Sequence, residues 1–144
     1  MTPITPSRTS TALGVALTIV AIDLTLTTAY IHLTLGGLLF TLNAAGYAAL
    51  AAGLLIFAIP HPLTRRFAWV PRLGLAGYTA TTIAAYLVIG PYFTLGWIAK
   101  AIELSILLVL AADLARLYGT PRALAAAIAG SLRFGGGRRQ MGAA

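Results

Sequence analysis

The chain has no cysteine, three acidic residues, two histidines and only 9% charged residues in 144 positions. Without cysteine there is no disulfide, no thiolate metal site, no thiol–disulfide chemistry and no Cys-ligated iron–sulfur cluster. The scarcity of charge excludes more. Soluble domains average about 25% charged and about 45–50% apolar residues, whereas this chain is 59% hydrophobic. Disorder is excluded by the same composition, because so apolar a chain must bury its side chains somewhere. There is also no Ser–His–Asp set, Walker sequence or dinucleotide-binding glycine pattern. Gly135-Gly136-Gly137 lacks the strand and lysine context of a phosphate loop.

What the chain does have is long apolar runs. A bilayer core needs about 20 apolar residues in a helix, and four such runs are present, at about 12–33, 38–59, 73–89 and 95–117. The first run outlasts a signal-peptide core of about 7–15 residues. Thr27-Thr28-Ala29 is also a poor cleavage site, so a retained span is expected. Paired glycines, Gly36-Gly37, suit a tight reversal after the first span. Pro60-His61-Pro62 stops the second. Gly90-Pro91 ends the third, and Gly119 with Pro121 ends the fourth. Residues 1–118 therefore read as one four-span bundle, and residues 119–144 as a basic tail. In the tail, Thr120-Pro121 forms a cap-and-first-turn pair. Leu124, Ile128 and Leu132 follow at helical spacing, which fits a short helix on the membrane surface or an Ala-rich frayed segment.

The formal charge of +7 comes from nine arginines and Lys100 against three acids. Every arginine lies at a span end or beyond it: Arg8; then Arg65, Arg66 and Arg72; then Arg116, Arg122, Arg133, Arg138 and Arg139. With four spans these groups share one side, and the connections at 34–37 and 90–94 carry no charge. The positive-inside rule places both termini in the cytoplasm of a cell-membrane protein. Phe67, Trp69 and Tyr118 mark that interface, and Tyr30, Tyr92, Phe93 and Trp97 the other. The expected partner of the arginines is the bilayer, through its anionic headgroups, at about 1 kcal/mol per residue. Nucleic acid is not expected, because no basic domain exists to hold it.

All three acids fall inside spans, where a charge costs about 2.5–3.5 kcal/mol on insertion scales. Asp23, mid-way along the first span, is a candidate intramembrane proton or cation site. Alternatively it is hydrogen-bonded to a neighbouring helix, with Thr18, Thr25, Thr27 and Thr28 as partners unless these bond back to their own helix. Lys100 and Glu103 are three apart and share a helix face. His32 and Asn43 lie at similar depth on the first two spans. These four residues form a candidate outer-leaflet polar cluster, with Tyr30, Tyr47 and Tyr86 near it. The cluster is either a ligand pocket or a clasp joining helices. Asp113 and Arg116, also three apart, read as a structural pair. His32 and His61 fall on opposite sides of the membrane, so no metal site and no cofactor is expected. Ala45, Ala49 and Gly53 repeat every four residues in the second span, and Ala76, Ala80 and Ala84 in the third. This spacing fits close packing within the bundle or a homodimer face.

Several runs carry a resemblance. Tyr30-Ile31-His32-Leu33, Gly36-Gly37, the stretch Leu39-Phe40-Thr41-Leu42-Asn43-Ala44-Ala45-Gly46-Tyr47, and the stretch from Gly90 to Glu103 resemble a group of small four-helix membrane proteins of bacteria and archaea. The resemblance implies four spans and no activity; the runs, turns and charges together predict an all-α polytopic fold with four antiparallel transmembrane helices. The expected function is that of a non-enzymatic integral membrane protein, such as an accessory subunit of a membrane complex. The alternative is a proton- or cation-coupled small-molecule transporter acting as a dimer. Small multidrug exporters are similar in having four spans and an acid in the first, although Asp23 lies in a run that does not align with theirs. An enzyme fits least well.

Overall fold

The computed structural model describes residues 8–133, and among them every regular element is helical. The order is α1 (Arg8–Leu35), α2 (Leu38–Ala58), α3 (Pro62–Arg66), α4 (Trp69–Ile89), α5 (Thr94–Tyr118) and α6 (Pro121–Leu132). Four of these are long and apolar enough to cross a membrane, over Thr11–Leu35, Leu38–Ala58, Trp69–Ile89 and Thr94–Tyr118. Over its described residues the protein is therefore all-helical, with the four long apolar helices of a multi-pass membrane protein. At 1.5 Å per residue, even the 21-residue helices α2 and α4 are roughly 30 Å long, the thickness of a hydrocarbon core.

Helix α1 packs along α2 and α5, α5 packs along α4, and α4 meets α2. The long helices thus close a ring in the order α1, α2, α4, α5. The polarity of the interior is inverted relative to a soluble protein. Val88 and Ile89 are 79% and 81% exposed, while Thr25, Thr28, Thr79 and Glu103 are wholly buried. Exposed aliphatic surface meets lipid tails at no cost, so burying it cannot drive assembly. Close packing and interhelical hydrogen bonds must do so. The apolar interior is correspondingly small and is built on Ala21, Ala29, Ala44, Tyr47, Leu54, Leu75, Ile106 and Leu110.

Helices α2 and α4 meet along small residues. Gly53 faces Pro71, Leu50 lies over Gly74, and the Tyr78 hydroxyl sits over Gly46. The last paired positions are Asn43 with Tyr78 and Tyr47 with Thr82. Beyond them the two helices line opposite walls of a cleft. The two small-residue stripes pack inside the bundle only at one member each, Gly53 and Ala76. Ala45 and Ala49 on α2, and Ala80 and Ala84 on α4, are exposed. The face that packs is offset by one residue, through Gly46 and Leu50.

The segment between the second and third spans differs from expectation. Rather than a loop reaching to Leu73, residues 62–66 form α3 and the next helix begins at Trp69. His61 caps α3, its Nδ1 accepting the Leu63 amide at 3.3 Å. Pro71 falls in the first turn of α4, where its missing N–H would have had no intrahelical partner. Arg72 is consequently inside a helix and buried. In the tail, the Thr120 hydroxyl accepts the Ala123 amide at 3.2 Å and starts α6. The far end of α6 folds back on the α3–α4 corner. There Arg66 donates to the Ser131 carbonyl at 2.6 and 3.0 Å, and Trp69 Nε1 donates to the Ser131 hydroxyl at 3.1 Å. Arg8 begins α1, and Arg138 and Arg139 lie outside the described residues.

The α1–α2 turn consists of Gly36 and Gly37, with φ of 69° and 85°. A Cβ in left-handed backbone costs about 1–2 kcal/mol. Gly36→Ala and Gly37→Ala should each lower unfolding free energy in mixed micelles by that amount, although neither position lacks space. Unchanged denaturation midpoints would contradict the turn geometry.

Candidate functional site

Glu103, on α5, is fully buried. Lys100, one turn earlier, places Nζ 2.7 and 2.6 Å from its two carboxylate oxygens. The third ammonium proton points to the Thr82 carbonyl on α4 at 3.3 Å. From α1, the Thr28 hydroxyl reaches Glu103 Oε1 at 3.4 Å. From α4, the Thr82 hydroxyl lies 2.9 Å from Oε2, and the Tyr47 hydroxyl of α2 lies 2.7 Å from Thr82. A threonine has a single hydroxyl proton. That proton has two acceptors in reach, Glu103 Oε2 and the Thr79 carbonyl at 2.8 Å, and when it goes to the carboxylate Tyr47 is the donor to Thr82. Four helices thus converge on one carboxylate.

His32 joins the group from α1. Its Nδ1 lies 2.7 Å from the Thr28 carbonyl, which can only accept, so Nδ1 carries the proton. Nε2 then faces Glu103 Oε1 at 3.8 Å. A second proton, on Nε2, would turn this contact into an ion pair.

Asn43 is placed differently from the other three expected members. Its Oδ1 accepts from the Tyr78 hydroxyl at 2.7 Å, and it makes no bond to Lys100 or Glu103. It instead lines the same cleft as His32 and Lys100, with its Nδ2 unbonded among the described residues. The cleft has a volume of about 350 Å³ and is open on one side. Leu39, Phe40 and Leu42 form one wall, Thr81, Ala85 and Ile89 the other, and Ala99 and Lys100 the floor. Tyr86 roofs Lys100, its ring centroid 5.4 Å from Nζ. Gly96 makes room for that ring, since a Cβ there would fall 2.5 Å from the Tyr86 hydroxyl. Trp97 and Tyr92 meet Tyr86 edge-on at 5.4 and 5.7 Å. Tyr30 points outward, 68% exposed, and takes no part.

Asp113 has a second partner beyond the expected one. Arg116 Nε and Nη2 donate to Oδ1 at 2.9 and 2.7 Å, and Arg72 Nε donates to Oδ2 at 2.6 Å. The structural pair is therefore a triad bridging α4 and α5. Asp23 stands apart from both groups. It is exposed on the outer face of α1, and its carboxylate has no partner among the described residues. Thr18, Thr25 and Thr27 bond back to carbonyls of their own helix, leaving only Thr28 to bond across.

Thr82 was missing from the sequence reading, which took Thr28 only as a partner for Asp23 and Arg72 only as a span-end arginine. Thr28 had a usable signal, since it lies one turn before His32 and shares its face. Thr82 had none, because nothing sets it apart from Thr79 and Thr81 in the same helix. Among the described residues no group of three His, Cys, Asp or Glu side chains is arranged to hold a metal ion.

Removing one member of a buried ion pair strands the other charge, at about 3–5 kcal/mol. Lys100→Met alone should therefore destabilise strongly. Adding Glu103→Gln to it should recover much of the loss, as read from denaturation in mixed micelles. Equal destabilisation by the single and double variants would show that Glu103 does not depend on Lys100.

No family model matches the chain, and neither a curated protein nor a solved structure matches it.

Proposed function

We propose that the chain is a non-enzymatic integral membrane protein of the cell membrane that binds a small lipophilic molecule in the cleft between α2 and α4. In this reading the four long helices run antiparallel and both termini are cytoplasmic. The support for that orientation is the distribution of arginines, which spares the connections at 34–37 and 90–94. The cleft then opens toward the outer leaflet.

The observation that carries the binding reading is the contrast within the cleft. Its walls are aliphatic and aromatic, and Asn43 Nδ2 is an unspent donor at its inner end. Few polar groups in an otherwise apolar concavity are the usual make-up of a small-molecule site. The ammonium of Lys100 and the carboxylate of Glu103 offset each other, so the occupant is neutral and presents an acceptor such as a carbonyl. A holding role fits better than a reactive one. Both Glu103 oxygens and all three Lys100 protons are already committed, and the unprotonated His32 Nε2 is turned to Glu103 Oε1 at 3.8 Å.

Two other readings each have one observation in their favour. Proton-linked transport is favoured by His32 Nε2 facing Glu103. An accessory role in a larger membrane complex, or a homodimer, is favoured by Asp23, an intramembrane acid turned to the outside.

Photolabelling with a neutral lipophilic diazirine ketone in nanodiscs tests the binding reading. Labels should concentrate on Leu39, Leu42 and Ile89. Ala85→Trp, which fills the cleft from an exposed position, should abolish them without lowering stability. Labelling spread evenly over outward-facing residues would refute the site. In proteoliposomes, proton-linked flux that Glu103→Gln abolishes in a folded protein would replace binding by transport.

A further inference from the structure

A second cleft, of about 450 Å³, lies where α1, the end of α2, α3 and the end of α5 come together. Its polar lining is basic. Arg65, Arg72 and Arg116 face it, and the one acid behind them is Asp113. Asp113 is fully spent on Arg72 and Arg116. The remaining charge on this wall is +2.

The arginines retain unused donors. Arg72 is only 8% exposed, and its Nη1 is held by the Ala68 carbonyl at 2.7 Å. Its Nη2 makes no bond among the described residues. The same is true of Arg116 Nη1, and Arg65 has no acid partner there. The Arg116 guanidinium lies against α1 because residue 14 is glycine, where a Cβ would fall 2.7 Å from Cζ. Two guanidinium groups are thus fixed by Asp113, one of them buried, and a third is free to close over a ligand. Such forks match phosphate oxygens in bidentate geometry.

The rest of the cleft is apolar and faces outward. Val15, Ile19 and Leu55 line it and are 56%, 60% and 62% exposed. A site with guanidinium donors at one end and lipid-facing aliphatic walls at the other suits an amphiphile.

We propose that this cleft binds a phospholipid bearing a phosphate monoester headgroup, with its acyl chains along α1 and α2. Net charge selects the headgroup. A monoester carries nearly two negative charges near neutral pH and cancels the wall, whereas a diester carries one and leaves an arginine uncompensated. This site is separate from the cleft between α2 and α4 and does not rest on the function proposed for it.

The full chain in nanodiscs provides the test, with phosphatidylcholine as the host lipid and equal small amounts of phosphatidic acid and phosphatidylglycerol. Native mass spectrometry should show one phosphatidic acid retained per chain. Its preference over phosphatidylglycerol should be about tenfold, the value of one charge-assisted bond. Arg65→Gln should abolish that preference at unchanged stability, because no described residue depends on Arg65. Arg122→Gln, outside the cleft, should leave it intact. Equal retention of the two lipids, or equal losses in both variants, would reduce the site to diffuse attraction and overturn the proposal. So would protection by millimolar inorganic phosphate in neutral detergent equal to that by phosphatidic acid, which would make the ligand free phosphate.

Discussion

A wholly buried carboxylate inside a membrane is the constraint around which this bundle is organised. Glu103 is costly to insert alone; Lys100 of its own helix offsets its charge, and Thr28 of α1 and Thr82 of α4, the latter linked to Tyr47 of α2, complete its surroundings. Lipid tails gain nothing from helix–helix contact, so helices of Leu, Ile and Ala would have little reason to choose one arrangement. Glu103 provides the reason. Each helix contributes a group to one connected network, and any helix out of register breaks a link in it. The Arg72–Asp113–Arg116 triad applies the same logic once more between α4 and α5.

The two polar groups differ in what they leave over. Around Glu103 the Lys100 ammonium balances the charge, so the adjoining cleft presents a neutral donor, Asn43, among apolar walls. Around Asp113, two guanidinium groups share one carboxylate and Arg65 stands beside them, so the adjoining cleft is positive. Similar ingredients yield a neutral site at one place and a basic one at another, because the ratio of bases to acids differs.

The all-helical, four-span character was legible from run length and composition, and the turn at Gly36-Gly37 from its two glycines. The Lys100–Glu103 contact was legible because a spacing of three shares a helix face. Long-range partners were less so. Arg72 read as a loop residue because a run of arginines beside Pro71 looks like solvent-exposed chain. Only the position of Asp113 on another helix makes it a helical, buried residue. Thr82 was invisible for a related reason: in a span rich in threonine, which hydroxyl turns inward depends on rotation about the helix axis. The small-residue stripes misled because Ala45 and Gly46 are equally compatible with close approach, and a large neighbour, Tyr78, selects the glycine.

The divergence of α2 and α4 beyond Asn43 and Thr82 bears on how a ligand is measured as well as where it sits. Leu42 and Ala85 on the rims of the cleft are exposed, so an occupant of the proposed site would enter sideways by diffusion in two dimensions. Its driving concentration would then be a mole fraction in the leaflet. A compound that partitions strongly into bilayers can saturate such a cleft with weak intrinsic contacts, and a dissociation constant quoted against aqueous concentration would mostly report the membrane.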